Sequence, residues 1–448
     1  MEPTSESSMD DSIKDLTGLD AEVVSICRDL IRFDTSNFGG RPDAANERPA
    51  ADYVMASLQE VGYDPVLHES APGRANVIVR IEGEDRTLPA LVVHGHLDVV
   101  PAEAADWSVD PFGAEVRDGM IWGRGAVDMK DMDAMILTNI RELARRGIKP
   151  RRDLIVAFFA DEEAGGTYGA QWVVKNHPEL FDGAEEAISE VGGFSTDIAG
   201  TRTYLIQTAE KGVAWTKLTA KGTAGHGSAI NPDNAVTHLA AAVTRIGEQE
   251  WPRSYRHSTT ALFEGVARIS GTTFDPNDPE PQLEALGHTA KWVRSSLSGS
   301  VNPTVLNAGY KDNVIPSTAE ARMDIRTLPG VHEETLDLIR DLAGEKVDVD
   351  YHHQLISLEA PSDTPLVHTM GDLLSQEDPG CEVLPYMLAA GTDNKAMYEL
   401  GIRGYGFVPL RLPDDLDFTG LFHGVDERVP VSALLFGRRV LYRLLTEY

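Results

Sequence analysis

The stretch Leu154-Ile-Val-Ala-Phe-Phe-Ala160 is a continuous apolar run, and it passes directly into Asp161-Glu-Glu-Ala-Gly-Gly166. An apolar run of this length without alternation is typical of a strand that is buried on both faces of a parallel sheet. The three consecutive carboxylates repel one another unless a cation lies among them. Taken alone, a solvated acidic loop explains the second half of this stretch about as well as a cation site does.

A second apolar run ends in polar residues in the same way. Leu91-Val-Val-His-Gly-His-Leu-Asp98 places His96 and Asp98 just after a predicted strand. Side chains that bind ligands gather beyond the carboxyl ends of parallel strands, because the loops diverge there and leave a crevice. His96 could bind a metal ion while Asp98 orients its ring. Ordinary polarity at a strand end is nevertheless the simpler explanation of this pair alone.

Three further segments carry candidate residues of the same kind. The glycines of Gly123-Arg-Gly-Ala-Val-Asp128 allow a tight turn before Asp128, a residue that could equally cap the following helix. A short apolar strand ends at Glu190, and His423 lies near the C-terminus. Together with His96 and the acidic stretch, these residues suit a pair of divalent ions such as zinc. Glu162 is then left free to transfer protons.

Strands and helices alternate around these segments, which predicts an α/β fold. The larger domain should contain a mainly parallel sheet with helices on both faces. Its predicted elements are helices at 21–33, 47–61, 131–146 and 167–175, strands at 75–81, 88–94, 154–160 and 186–189, and a hairpin at 114–122.

The pattern changes after about residue 203, where a smaller α+β domain is predicted. Its elements are strands at 204–208, 214–221, 304–308, 320–325 and 347–352 and helices at 235–247 and 333–342. We therefore predict a flexible tail at 1–18, a larger domain at 19–204 and 358–448, and a smaller domain at 205–357. An extra insertion at about 251–300 is assigned to the smaller domain, with a proline-bearing loop at 274–281.

The composition excludes several classes of partner. The 448 residues carry a formal net charge of −31, and a field of that sign repels nucleic acid. No apolar stretch is long enough to span a membrane, and no signal peptide is recognisable, so we expect a cytoplasmic protein without membrane contact. The cysteines, Cys27 and Cys381, are expected to be two buried thiols rather than a disulfide.

His-Gly-His-Leu-Asp-Val-Val-Pro, Gly-Arg-Gly-Ala-Val-Asp-Met-Lys and Asp-Glu-Glu-Ala-Gly occur here in an order that resembles the M20 family of metallopeptidases. That family includes aminoacylases, succinyl-diaminopimelate desuccinylases, acetylornithine deacetylases and glutamate carboxypeptidases, and the resemblance covers about residues 20–445. It implies a di-zinc catalytic domain with an inserted lid and dimerisation domain. It also implies hydrolysis of an amide bond in an N-acyl amino acid or short peptide that has a free carboxylate.

The resemblance implies a role for each matching residue of the larger domain. One zinc ion would be bound by His96 and Glu190, and the other by Glu163 and His423. Asp128 would bridge the two ions, and the peptide bond from Asp128 to Met129 would be cis. Asp98 would orient His96, and Glu162 would be the general base.

Residues of the smaller domain and the C-terminal segment match in the same way. His226, in Gly222-Thr-Ala-Gly-His-Gly-Ser228, would stabilise the oxyanion, in dimeric members from the partner subunit. Asn313 and Arg326 would bind the substrate carboxylate, a role that suits the two parallel hydrogen bonds of a guanidinium group. Gly391 and Thr392 resemble the substrate loop of the family.

Several alternatives stay open at this stage. Val191 follows Glu190 where many members have proline, so the acyl group and side chain of the substrate are not predicted. The insertion at 251–300 leaves open whether His226 acts within one chain or across a homodimer. Cobalt or manganese could replace zinc. An aminopeptidase of the same fold, which recognises a free amine, and a non-catalytic metal-binding member are the alternative functions.

Overall fold

The computed structural model describes residues 11–39 and 46–448. Up to residue 210 the chain contains five helices and nine strands within this described part. The helices are α1 Asp11–Lys14, α2 Gly18–Ile31, α3 Arg48–Glu60, α4 Lys130–Arg146 and α5 Ala170–Asn176. The strands are β1 Val66–Ala71, β2 Arg74–Ile81, β3 Ala90–His96, β4 Glu115–Arg117, β5 Met120–Trp122, β6 Leu154–Phe159, β7 Ala184–Ser189, β8 Phe194–Ile198 and β9 Thr201–Glu210.

The rest of the chain adds ten strands and eight helices. Between residues 212 and 355 they are β10 Gly212–Lys221, β11 Gly225–His226, α6 Ala235–Gly247, α7 His257–Ser270, α8 Glu280–Ala285, α9 Ala290–Ser295, β12 Ser300–Ala308, β13 Val314–Ile315, β14 Thr318–Thr327, α10 His332–Ala343 and β15 Val347–Leu355. From residue 358 they are β16 Leu358–Glu359, α11 Pro365–Glu377, β17 Glu382–Leu388, α12 Asn394–Glu399, β18 Arg403–Gly406, β19 Arg428–Pro430 and α13 Val431–Glu447.

A ten-stranded sheet forms the larger domain, in the order β1-β2-β6-β3-β7-β18-β9-β16, with β8 and β17 also paired to β9. Its centre, β6-β3-β7-β18, is parallel, and antiparallel pairs flank it on either side. Leu91 and Val93 of β3 face one core cluster, whereas Val92 faces another. Both faces of the sheet are therefore covered, as the continuous apolar runs predict.

Helices cover these two faces. On one side α2, α4 and α13 pack against each other and the sheet, and on the other α5 and α12 do so. Helix α4 ends at Gly147, whose φ of 63° is the left-handed conformation that glycine adopts without strain. The α/β class and the helices on both faces are confirmed.

The smaller domain is built on a four-stranded antiparallel sheet, β12-β14-β10-β15. In β14 buried side chains alternate with more open ones, because only one face of this sheet is covered, by α6 and α10. The predicted α+β architecture is thus present, and α6 has the bounds predicted from the sequence.

Two assignments to the smaller domain are wrong. Strand β9, predicted there as 204–208, lies inside the ten-stranded sheet and is buried along most of its length. The insertion at 251–300 forms helices α7, α8 and α9, and apolar residues of this segment join the core of the larger domain. Its Leu262, Phe263 and Val266 pack there in one cluster with Leu384 of β17.

Smaller predictions have mixed outcomes. Residues 1–10 of the predicted tail lie outside the described residues, while 11–14 form α1 and Leu16 packs against the main core. The loop predicted at 274–281 is present up to Pro279, and α8 begins at the next residue.

Cys27 and Cys381 are free thiols, but Cys381 is only half-buried. Among the described residues, none of the helices has the length and apolar character needed to cross a membrane.

Candidate metal centre and active site

Neighbouring parallel strands bring the acidic segments to one edge of the large sheet. Because β6, β3 and β7 are adjacent and parallel, their carboxyl ends lie side by side. His96 ends β3, Glu162 and Glu163 follow β6, and Glu190 follows β7.

Two carboxylate and histidine groups form at this edge and share one residue. Within residues 11–39 and 46–448, the groups whose ligand atoms could hold a metal ion are His96 with Asp128 and Glu190, and Asp128 with Glu163 and His423. His96 Nε2 lies 3.1 Å from Asp128 Oδ1 and 3.5 Å from Glu190 Oε2. His423 Nε2 lies 3.3 Å from Asp128 Oδ2 and 3.1 Å from Glu163 Oε2. Asp128 therefore presents one oxygen to each group.

The electrostatics of this cluster call for added positive charge. Burial raises the pKa of Glu190 to about 8, although the nearby His96 opposes the shift. Hydrogen bonds to Asp128 and Glu163 raise the pKa of His423 to about 10. Burial would lower the pKa of His96, but the neighbouring carboxylates raise it well above its usual value. Without another cation, Glu190 and both histidines thus tend to retain protons, whereas hydrogen bonds from the two histidines lower the pKa of Asp128.

Three residues at this edge adopt a left-handed backbone conformation that is unusual for their side chains. They are Asp161 (φ 67°), Val191 (φ 56°) and His423 (φ 57°). A β-branched residue such as Val191 is strained in this region, and such strain tends to occur at functional sites. The peptide bond between Asp128 and Met129 is cis, as predicted.

A cleft opens beside the cluster and divides into two arms. Glu162, Glu163, Arg326, Gly391 and His423 line both arms. One arm, the smaller arm, has a volume of about 160 Å³, and the other, the larger arm, about 430 Å³. The acidic cluster thus lies where the two cavities meet.

The family model of peptidase family M20/M25/M40 matches residues 92–447. The chain belongs to this family. It is accordingly an enzyme that hydrolyses amide or peptide bonds, in a family that depends on metal ions.

Individual relatives of this M20 peptidase cover most of its length. Aminoacylase-1 from Homo sapiens is 30% identical over 417 residues, 89% of this chain and 91% of that protein. The N-fatty-acyl-amino acid synthase/hydrolase PM20D1 from Xenopus tropicalis is 27% identical over 437 residues, 92% of this chain and 83% of that protein. An M20 family metallo-carboxypeptidase from Sulfolobus solfataricus shares the fold, with a TM-score of 0.72, 16% identity and coverage of 95% of this chain and 98% of that chain.

Asp98 lies beside both His96 and the loop that carries Glu162 and Glu163. His96 Nδ1 lies 3.0 Å from the backbone carbonyl oxygen of Asp98 and 3.7 Å from its carboxylate. The carboxylate instead accepts hydrogen bonds from the backbone N–H groups of Glu162 (3.0 Å) and Glu163 (3.1 Å) and from the Asn37 amide (2.8 Å). Asp98 therefore fixes the loop that carries both glutamates, and its backbone rather than its side chain contacts the imidazole.

Glu162 lines both arms of the cleft beside the cluster. Burial raises its pKa well above the usual value, and Glu190 adds to the shift. A carboxyl group with a raised pKa is suited to accept and return a proton. The role of Glu162 as general base stays a prediction.

The predicted substrate residues fall into two groups. Arg326, Gly391 and Thr392 line the cleft. His226 and Asn313 are exposed beside the β11–β13 pair, where the N–H of Gly227 donates to the carbonyl of Asn313, and neither residue lines the cleft. The structure thus brings His226 and Asn313 to each other but not to the acidic cluster.

Several residues that shape the site are missed by the sequence analysis. Glu427 is buried and accepts hydrogen bonds from the turn that carries Asp128, and Lys395 lines the smaller arm. Trp292 of the insertion lines the larger arm. The sequence does not indicate that Glu427 and Lys395 belong to the site, because both side chains bind mainly backbone groups. Trp292 lies in the insertion at 251–300, which the sequence pattern places in the smaller domain.

Proposed function

We propose that this M20 peptidase hydrolyses the amide bond of an N-acyl amino acid or of a short peptide with a free carboxylate, using two divalent ions. The observation that carries this proposal is the shared position of Asp128 between two metal-ligand groups beside a cleft that also contains Glu162 and Arg326. A carboxylate that faces two groups at once is the usual bridge of a two-metal site.

The donor set fits two zinc ions. His96, Asp128 and Glu190 would hold one ion, and Asp128, Glu163 and His423 the other. Imidazole and carboxylate donors suit zinc, and also cobalt or manganese. The buried carboxylates that retain protons in the metal-free protein support the fit, since divalent ions would replace that positive charge. When bound, such ions polarise the carbonyl group and lower the pKa of water.

The side chains of the chain itself supply the remaining steps. Glu162 takes a proton from the attacking water and returns it to the leaving nitrogen. Arg326 binds the carboxylate of the substrate and so positions the amide bond. Its Nε and Nη2 lie 2.6 and 2.9 Å from the two carboxylate oxygens of Asp324, which fixes the guanidinium group beside the cleft.

His226 and Asn313 keep a role in this proposal only if they approach the cleft. Closure of the smaller domain or a second copy of the chain could bring them there, and a homodimer therefore stays a prediction. An aminopeptidase activity is the alternative that the substrate test must exclude.

The test measures release of free amino acid from a panel of N-acetyl amino acids, dipeptides and C-amidated dipeptides by the zinc-loaded enzyme. We expect turnover of substrates with a free carboxylate, and a loss of about 10²–10⁴-fold in kcat for Glu162→Gln, since general acid–base catalysis contributes that much. Bound zinc should stay at two ions per chain. Glu264→Gln, on the exposed face of α7, serves as the matched control and should be as active as wild type.

Two outcomes would contradict the proposal. Turnover that survives in Glu162→Gln would remove that residue from the role of general base. Preferential cleavage of C-amidated peptides with a free amine would favour the aminopeptidase.

A further inference from the structure

A cavity of about 260 Å³ lies where the insertion meets the smaller domain, and none of its lining residues lines the cleft. Its wall includes Trp251 and Arg256 at the start of the insertion, the turn after β14 and the first turns of α10. We infer that this cavity, the seam cavity, is a second binding site, and that it takes a free amino acid with an apolar side chain. The inference does not depend on the proposed amide hydrolysis.

The seam cavity lies where the two domains join. Trp251 packs against the core of the smaller domain, whereas Tyr255 packs against the core of the larger one, so residues 251–256 cross between them. Another lining residue, Leu328, packs with Met387 of the large sheet. Small-molecule sites occur preferentially at such interfaces between domains. The volume lies just below the range of about 300–1,000 Å³ for drug-sized ligands, so it suits a smaller molecule.

Arg256 brings an unpaired positive charge to this cavity. Its Nε is buried and has no hydrogen-bond partner in the part of the chain that the structure describes. Its guanidinium group forms no ion pair with an acidic side chain of the described residues. Nη1 approaches the turn after β14, since a Cβ atom at Gly330 would lie 3.9 Å from it. A carboxylate, which can accept two parallel hydrogen bonds from a guanidinium group, would satisfy these donors.

The acidic counterpart of Arg256 is Glu334, in the first turn of α10. Glu334 is exposed and forms no ion pair with any described residue, Arg256 included. A ligand with both a carboxylate and an ammonium group would pair with both side chains, whereas a plain carboxylate would lie near a second negative charge. The net charge of −31 also repels small anions, but it does not repel a zwitterion without net charge.

The rest of the wall is largely apolar. It is formed by Trp251, Pro252, Leu328, Val331 and Leu338. An aliphatic or aromatic group of the ligand would remove these surfaces from water. A carboxylate, an ammonium group and an apolar side chain on one small molecule are the features of an amino acid such as leucine.

The test measures binding of L-leucine to the zinc-loaded enzyme by isothermal titration calorimetry. The Arg326→Gln variant is the parent protein, because Arg326 offers a second guanidinium group to a carboxylate in the cleft. We expect leucine to bind this parent, and Arg256→Gln to weaken the binding about tenfold or more, since hydrogen bonds to charged groups contribute that much. Glu334→Gln should weaken it less, because Glu334 is exposed.

Three analogues of leucine test the ligand class. 4-Methylpentanoate lacks the ammonium group, 3-methylbutylamine lacks the carboxylate, and glycine lacks the apolar side chain. Each should bind more weakly than leucine. Glycine should bind most weakly, because each buried methylene group contributes about fourfold in affinity.

Arg253→Gln is the matched control, because Arg253 belongs to the same segment but donates to the carbonyl of Asn277 (3.2 Å) and does not line the cavity. It should bind leucine as the parent does. Leucine affinity that is unchanged in Arg256→Gln would place the amino acid in the cleft and overturn the inference. Equal affinity for leucine and 4-methylpentanoate, or absence of leucine binding, would overturn it as well. None of these results bears on amide hydrolysis, which the turnover panel tests separately.

Discussion

Glu427 positions the carboxylate that both metal-ligand groups share. Its Oε1 accepts hydrogen bonds from the backbone N–H groups of Val127 (2.8 Å) and Asp128 (3.2 Å). Its Oε2 accepts from the N–H of Gly125 (3.1 Å) and from Arg124 Nη1 (2.7 Å). The turn before Asp128 is thus arranged around one buried carboxylate, and the position of Asp128 depends on it.

We predict that Glu427→Gln weakens zinc binding by about 10–100-fold, because substitution of a residue that positions a metal ligand commonly has an effect of this size. The amide would place an NH₂ group against donors that now share a carboxylate oxygen. Glu427→Ala should cost about 3–5 kcal/mol in the free energy of unfolding, because it leaves the buried Arg124 without its carboxylate. Competitive zinc titration and urea unfolding measure the two effects.

Asp426→Asn offers the control, since this neighbouring carboxylate accepts hydrogen bonds from Ser108 nearer the surface. We expect it to change the free energy of unfolding by less than about 1 kcal/mol, because asparagine tolerates the left-handed backbone found there. Zinc affinity equal to wild type in Glu427→Gln would show that the turn holds its shape without the carboxylate.

The residues of the cluster could be proposed from the sequence because each follows a strand or a glycine turn. His96, Glu163 and Glu190 follow runs of apolar residues, and parallel strands bring such ends together. The surroundings of these residues could not be predicted. Glu427 accepts hydrogen bonds from backbone N–H groups, and Asp98 does the same in the 162–163 loop. A pattern of side-chain types does not indicate contacts to backbone groups.

At the level of strands and helices, the sequence predicts most elements but not their partners. The sequence pattern places strand β9 in the smaller domain because the order of strands and helices changes after about residue 203. Its burial on both faces, in contrast to the alternation of β14, is the signal that assigns it to the ten-stranded sheet. The apolar face of α7 indicates a helix that packs on a sheet, yet nothing in its spacing specifies which sheet.

Lys395 connects the two points at which the chain crosses between domains. It lies in the first turn of α12 and donates to the carbonyl of Lys211, just before β10, and to that of Ile356, just after β15. Its ammonium group also lies 3.2 Å from the buried carboxylate of Glu210 at the end of β9. The buried ammonium group of Lys395 therefore binds both interdomain connections and neutralises the carboxylate of Glu210 at the end of β9.

We predict that Lys395→Met lowers the free energy of unfolding by about 3–5 kcal/mol, because it leaves a buried carboxylate without its cation. Urea unfolding measures the change. Lys346→Met is the comparison, since the exposed Lys346 pairs with Asp233 at the surface, and such pairs contribute about 1 kcal/mol or less. Equal losses in the two variants would show that Lys395 has no special part in joining the crossings.

Over the whole molecule, the candidate ligands come from five separate places in the chain, from His96 to His423. Each ligand is positioned by a different element of the fold, so all five lie together only when the larger domain is folded. Metal that binds the folded chain and not the unfolded chain stabilises the fold by mass action. Metal binding and folding should therefore be coupled in this M20 peptidase, which leads to a prediction about pH.

At pH 7 the metal-free protein keeps protons on its ligands, since the pKa of Glu190 is about 8 and that of His423 about 10. Zinc needs these groups without protons, so binding releases them and the affinity rises with pH, by about tenfold per unit for each proton released. We predict that the gain in Tm from a fixed zinc concentration grows from pH 6 to pH 8. The matching gain in the free energy of unfolding is about 2.7 kcal/mol per site once zinc exceeds its Kd 100-fold. Thermal scans with zinc and with a chelator measure this gain, and Asp128→Asn should abolish most of it. A gain independent of pH would mean that the ligands are already free of protons, and a full gain in Asp128→Asn would place the zinc elsewhere.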